Sequence, residues 1–326
     1  MPANEGIPVT RVLITGANSG IGRDTALHLA GEGCRVWAGV RSPEKASGLE
    51  EAARKAGLSV EVVSMDVDDE ASVRAAVAAV LEASGGIDVL INNAGIGGSG
   101  VVEDIRIDQA KGVFETNFWG VIRCTQAVLP VMRSQGHGHI INISSLLGRV
   151  AGLGQVVYSA SKWSLECLSE SLAQEVAGFG IRVSMIEAGS IRTNIVSNTI
   201  PRVGETEVSL DPAYAELRRR TGRFYDHGWQ EASPAREVSK TVLEAIRDPS
   251  PRLRYICGWG AERLIAARAR MSDEEWLELG RADSDEVYFE RFRSLFDIDI
   301  SSPVKYSSNR GLKGRWRRLK QRFRKA

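Results

Sequence analysis

The sequence predicts a doubly wound α/β fold, a parallel sheet between two helical layers, in one domain with a C-terminal helical extension. Two observations predict it. Short apolar runs alternate with longer helical patterns through residues 11–187, and the first run passes straight into a glycine-rich turn, Thr15-Gly16-Ala17-Asn18-Ser19-Gly20-Ile21-Gly22. Runs that are apolar on both faces need cover from both sides, and crossover helices supply it.

Strand one is Arg11–Thr15, and a helical pattern follows the turn as far as Glu32. Arg35–Gly39 reads as strand two and Pro43–Ala56 as a helix; Val60–Ser64 is strand three and Asp69–Ala83 an Ala/Val-rich helix. Val89–Asn92 is strand four, and one long helix is expected over Asp108–Ser134, strained near Pro130. His139–Ser144, Val157–Gly178 and Arg182–Glu187 continue as strand, helix and strand. Asn194–Ser233 breaks the rhythm: it is polar, contains Pro201 and Pro212, and predicts a mobile or functional loop with a helix near Ala213–Thr221. Arg236–Arg247 is helical and Leu253–Cys257 a last strand. The expected organisation is therefore a main domain over 1–260, including a lid at 194–233, and a helical extension over 261–326.

The chain has 326 residues, 43% hydrophobic and 25% charged, with a net charge of +1. This balance excludes a disordered, collagen-like or disulfide-scaffold protein. Cys34, Cys124, Cys167 and Cys257 are far apart, which suggests reduced thiols and a cytoplasmic setting. The start of the chain carries no apolar signal region, and no run reaches membrane-spanning length. His28, His137, His139 and His227 are too scattered to read as metal ligands, so no metal is expected. Residues 305–326 hold ten basic and no acidic side chains, which leaves the rest of the chain at −9.

Two patterns carry chemistry. Glycines after a strand and before a helix let the backbone approach a pyrophosphate, while the helix start offers free N–H groups and a positive dipole end. The spacing here, G-x-x-x-G-x-G, also suits a plain strand–helix turn. The second pattern is Tyr158-Ser159-Ala160-Ser161-Lys162, which puts Tyr158 and Lys162 on one helix face, with Ser145 thirteen residues earlier at a strand end. An ammonium beside a phenol lowers the phenol pKa. Tyr158 could then exchange a proton with a carbonyl or alcohol oxygen that Ser145 also binds. A Tyr/Lys pair at this spacing is common as a surface pair; the Ser145 spacing and the upstream turn favour the chemical reading.

In these residues the sequence closely resembles the short-chain dehydrogenase/reductase family. The resemblance rests on T-G-A-N-S-G-I-G (15–22), N-N-A-G (92–95), N-F-W-G (117–120), I-S-S (143–145) and Y-S-A-S-K (158–162), in the family's order across about residues 1–193. It implies a Rossmann-type nicotinamide-binding fold and metal-free hydride transfer between the cofactor and a carbonyl/alcohol pair. Asn117, Ser145, Tyr158 and Lys162 match the catalytic tetrad. Tyr158 would be the acid/base and Ser145 the orienting donor; Lys162 would lower the tyrosine pKa and bind the nicotinamide ribose, and Asn117 would hold a relay water. For the cofactor, the match covers Gly16, Asn18, Ser19, Gly20, Ile21 and Gly22 around the phosphates. Asp66 and Val67 match the adenine contacts, and Asn93, Ala94 and Gly95 the segment along the cofactor. Gly189, Ile191 and Thr193 match the loop beside the nicotinamide.

Two departures matter. The acidic residue that NAD-preferring members usually carry after strand two is absent, and Arg41 follows Ala38-Gly39-Val40. A guanidinium suits a 2′-phosphate, so NADP(H) is expected over NAD(H), which stays possible. After strand six the usual Pro-Gly is replaced by Ala188-Gly189, which predicts a less rigid loop.

Apolar residues in the lid, with Leu146, Leu147, Val150, Leu153 and Val156, predict a lipophilic ketone or secondary alcohol as substrate. The segments around Tyr158 and Pro251–Tyr255 resemble the branch acting on retinoids, steroids and other bulky alcohols. The resemblance also implies a homodimer or homotetramer built through the helices at about 108–134 and 157–178. Leu312, Trp316, Leu319 and Phe323 form a stripe on a basic helix, 305–326, that suits an anionic membrane surface or docking on the acidic body or a partner subunit; nucleic acid is not expected. The leading function is thus an NADP(H)-dependent oxidoreductase. The competitors are a non-catalytic, cofactor-binding redox sensor and a membrane-recruited scaffold.

Overall fold

The computed structural model describes residues 9–98, 100–193, 195 and 211–303. The basic tail and residues 196–210 of the expected lid lie outside them.

Seven parallel strands form one sheet in the order β3-β2-β1-β4-β5-β6-β7. They are β1 (Arg11–Thr15), β2 (Arg35–Val40), β3 (Glu61–Ser64), β4 (Val89–Asn92), β5 (Gly138–Ile143), β6 (Ile181–Ala188) and β7 (Arg254–Cys257). Successive residues of β1 serve opposite faces, as the strand's two-residue period demands. Val12 and Ile14 enter a core with α1 (Gly20–Gly31), α2 (Ser47–Lys55) and α8 (Ala235–Arg247). Leu13 enters the other core, with α3 (Glu70–Ser84), α5 (Gly120–Gln135) and α6 (Val156–Val176). The chain winds outward in both directions from the β1–β4 boundary, and a crevice opens there at the carboxyl ends of the strands.

The expected helix over Asp108–Ser134 is divided. α4 (Ile107–Phe114) and α5 are joined by a single wide π turn, Glu115–Trp119, which buries Thr116 and Asn117. Pro130 does not interrupt α5. It lies on the exposed side, where the carbonyl deprived of its partner can meet water. Pro43–Ala56 likewise divides into a short 3₁₀ turn, Pro43–Lys45, and α2.

The lid helix is longer than expected: α7 spans Ala215–Gln230. It is anchored by buried Arg220, whose guanidinium meets Asp285 at 3.0 Å, donates to the Ala282 carbonyl at 2.9 Å and lies 5.0 Å from the Tyr288 ring centroid. Beyond β7, α9 (Ala261–Arg270), α10 (Asp273–Gly280) and α11 (Asp285–Phe296) build a third core. Leu146, Leu147 and Val150 join Phe289, Phe292 and Phe296 in it. These three residues, open to reading as pocket lining or as core, are buried, because the C-terminal helices cover them.

The loop after β6 also differs from expectation. Lacking proline, it is fastened by its backbone: Gly189 N–H donates to Cys257 O (2.8 Å), Ser190 N–H to Trp259 O (3.0 Å) and Arg192 N–H to Ser233 O (2.9 Å). Among the described residues no helix is long and apolar enough to cross a membrane.

Candidate active site

The glycine turn leaves β1 and is fixed from two sides. Ala17 N–H donates to the Gly39 carbonyl of β2 at 3.1 Å. Asn93, at the exit of β4, donates its side-chain amide to the carbonyls of Thr15 (2.8 Å) and Gly16 (3.2 Å). Thr15 Oγ1 accepts the N–H groups of Asn93 and Ala94, each at 3.0 Å. Gly16 has φ +67°, and a Cβ there would lie 2.8 Å from Ala94 Cα; a Cβ on Gly22 would lie 2.4 Å from the Asn93 amide nitrogen. Side chains are thus excluded where the turn meets β4 and α1 begins. Ser19 starts α1 without a side-chain cap, so the first N–H groups of the helix face the crevice mouth. Thr193 sits over Gly20, 3.4 Å from where its Cβ would be, and Asn18 is exposed. This cradle fits a pyrophosphate.

The other expected cofactor residues surround it. Gly39 pairs with Thr15, so Arg41 emerges beside the turn; it is exposed. Arg23, in the first turn of α1, extends its guanidinium over Gly48 of α2. Among the described residues neither arginine forms an ion pair. Asp66 and Val67 follow β3, with Val67 packed against Gly120. Ile21 is half-buried against the sheet, and Ile191 packs beside Gly258.

Ser145, Tyr158, Lys162 and Asn117 converge at the ends of β4 and β5. Ser145 Oγ accepts the Leu147 N–H at 3.1 Å. Lys162 donates to the Ile143 carbonyl at 2.8 Å, and its Nζ lies 5.8 Å from the Tyr158 ring centroid. Asn117 Nδ2 donates to Ile96 O (2.9 Å) and Ser161 Oγ (3.0 Å), while Oδ1 accepts Ile96 N–H at 2.8 Å. Both hydrogens of its amide are taken by protein groups, and Oδ1 retains a second acceptor site. A Cβ on Gly95 would lie 3.4 Å from Asn117 Oδ1 and 3.9 Å from Lys162 Nζ, so backbone, amide and ammonium meet here.

The electrostatics correct one expectation. The Tyr158 pKa lies above its ordinary value, not below it: burial raises it, and the hydrogen bond from Ser145 opposes the rise. Lys162 is lowered to about 8, again by burial, with Glu166 acting in the opposite sense. Desolvation is the largest influence on both groups. The phenol is therefore protonated at neutral pH and fit to donate.

Sequence reasoning gave no role to Thr15, Arg23 or Glu166. The signals were present: a threonine directly before the first glycine, an arginine directly after the last, and an acid four residues beyond Lys162.

Comparison with known proteins agrees with this geometry. The short chain dehydrogenase family model matches residues 10–203. Oxidoreductase BOA17 of Botryotinia fuckeliana is 36% identical over 278 residues, covering 83% of this chain and 98% of that protein. Mouse 17-beta-hydroxysteroid dehydrogenase type 1 is 37% identical over 252 residues (76% and 73%), and bovine retinol dehydrogenase 8 is 34% identical over 267 (79% and 84%). Among solved structures, a Burkholderia phymatum short-chain dehydrogenase/reductase in complex with NAD aligns with TM-score 0.71 and 27% identity, covering 85% of this chain and 97% of that one. A metagenomic short-chain oxidoreductase in complex with NADP aligns with TM-score 0.60 and 27% identity (76% and 96%). A parallel sheet whose strand order reverses beside a glycine cradle, with serine, tyrosine and lysine gathered at its mouth, thus belongs to a chain of the short-chain dehydrogenase/reductase family, one that resembles its steroid and retinoid members.

Proposed function

We propose that this protein is an NADP(H)-dependent oxidoreductase that reduces lipophilic ketones to secondary alcohols. The observation that carries the reading is the convergence of Ser145, Tyr158 and Lys162 beside the glycine cradle. The cofactor, held by the cradle at Gly16–Gly22 and by Lys162, supplies the hydride. Tyr158 gives its proton to the carbonyl oxygen, and Ser145, which accepts Leu147 N–H and keeps its own hydrogen to donate, turns that hydrogen toward the same oxygen. The neighbouring Lys162 ammonium stabilises the phenolate left behind.

Arg41 and Arg23 support NADP(H), since both are free of ion pairs among the described residues and stand beside the cradle. Mouse 17-beta-hydroxysteroid dehydrogenase type 1 and bovine retinol dehydrogenase 8 support a bulky lipophilic substrate. Half-exposed Trp119 and Trp163, on the π turn and on α6, support a homodimer or homotetramer, since they leave apolar area for a second copy.

The test is NADPH oxidation with a panel of steroid and other lipophilic ketones, wild type against Tyr158→Phe. Turnover that falls by roughly 10²-fold or more in the variant, with NADPH binding retained, supports the reading. Cofactor binding without turnover on any ketone or alcohol would support the sensor alternative.

A further inference from the structure

Behind Tyr158 and Lys162 lies a buried set of charges that proton donation and cofactor binding do not use. Glu166 follows Lys162 by one turn of α6 and is buried; Glu187, near the end of β6, is 0% exposed. Arg254, at the start of β7, reaches both, with Nε 3.0 Å from Glu166 Oε2 and 3.1 Å from Glu187 Oε1. Its other nitrogen pairs with Glu170. Arg149 meets Glu187 Oε1 at 2.9 Å. Ser144, next to Ser145, donates its hydroxyl to Glu166 Oε1. Buried ion pairs add little stability over apolar packing of the same volume, so stability alone does not account for this set.

The surroundings of Lys162 show what Glu166 does. Lys162 is 6% exposed. Toward β5 it meets the Ile143 carbonyl, and toward β4 the Gly95 backbone and the Asn117 amide, all uncharged. On its own helix it has the neutral phenol of Tyr158 on one side and Glu166 on the other. Arg149 and Arg254 are each bonded to a carboxylate. Glu166 is therefore the anion that offsets the cost of burying the ammonium.

We infer that Glu166 is a positioning residue for the reaction: its carboxylate, clamped between Ser144 and Arg254, keeps Lys162 charged and so sets the alkaline edge of ketone reduction. The inference rests on the proposed roles of Tyr158 and Lys162. Burial brings Lys162 down to about 8 against the pull of Glu166. Removing the carboxylate carries its titration toward neutrality. Burial raises the Glu166 pKa and Glu187 adds to the rise, while Ser144 and Arg254 oppose it; the ion pair with Arg254 and the hydrogen bond from Ser144 favour the carboxylate form. Because Tyr158 and Lys162 are neighbours, the alkaline limb belongs to the pair.

The experiment titrates Lys162 directly, by NMR of cofactor-free protein labelled with ¹³C at the lysine ε-carbon, with Lys162→Met to assign the signal. In parallel, kcat/KM for NADPH-driven ketone reduction is followed against pH. Glu166→Gln should lower the Lys162 midpoint by about one pH unit and move the alkaline limb with it. Glu166→Asp should restore both. Ser144→Ala, which leaves the carboxylate in place but removes a donor to it, should shift the midpoint in the same direction by less, and it serves if Glu166→Gln does not fold. A lower melting temperature or a lower rate plateau with an unmoved midpoint would overturn the inference. A midpoint that moves in a protein reducing no ketone would refute the oxidoreductase reading and leave the Glu166–Lys162 coupling standing.

Discussion

Asn117 engages both backbone groups of Ile96: Oδ1 accepts the Ile96 N–H at 2.8 Å and Nδ2 donates to its carbonyl at 2.9 Å. This pairing, made from the wide turn between α4 and α5, fixes the segment that leaves β4 beside Lys162. Asn117→Ala leaves a buried N–H and a buried carbonyl without partners. Its expected cost is about 2–4 kcal/mol of stability, read by urea unfolding. kcat/KM should fall as well, because Gly95 is then no longer held against the ammonium.

Cofactor choice should depend on Arg41. Arg41→Ala is expected to lower kcat/KM for NADPH roughly ten- to a hundredfold, the worth of a charge-assisted hydrogen bond, and to leave NADH nearly unchanged. Steady-state kinetics with both cofactors measures the ratio; an equal loss with both would refute a 2′-phosphate contact.

Acid stability should depend on His139. This residue is buried in β5, its Nε2 is 3.0 Å from Ser184 Oγ, and its Nδ1 has no partner. Burial, then Arg182, lowers its pKa to about 3. The unfolded chain binds this proton near its ordinary pKa of about 6.5 and the folded chain does not. The contribution to stability is therefore complete above that value and is lost as pH falls toward 3, by up to about 1.4 kcal/mol per unit. His139→Gln should flatten the difference in unfolding free energy between pH 6 and 4; an unchanged slope would show that His139 is not its source.

Self-association should depend on the two exposed tryptophans, Trp119 at 48% and Trp163 at 50% exposure. The double substitution Trp119→Glu/Trp163→Glu is expected to yield monomer in sedimentation velocity, with secondary structure retained. An unchanged sedimentation coefficient would place any interface elsewhere.

The strands and their order of use were readable because each is a short run with a helical pattern after it. The boundaries of β1 and β4 match the sequence reading to the residue. The break at Glu115–Trp119 was not readable, since a π turn preserves helical periodicity on both sides and is selected by what Asn117 bonds to. The direction of the Tyr158 shift was missed for a related reason: spacing shows that an ammonium is near but not how much water either group has lost. Whether Leu146, Leu147 and Val150 line a pocket or fill a core was not readable, because the helices that bury them lie more than a hundred residues further on.

The lacing of Gly189–Arg192 onto the strand-seven exit and Ser233 uses main-chain atoms only. Its rigidity draws on no side-chain bond, but it requires glycine at 189, where a Cβ would lie 2.2 Å from the Trp259 carbonyl oxygen. The outer segment can change sequence, and with it the molecules admitted, while the floor of the crevice keeps its shape.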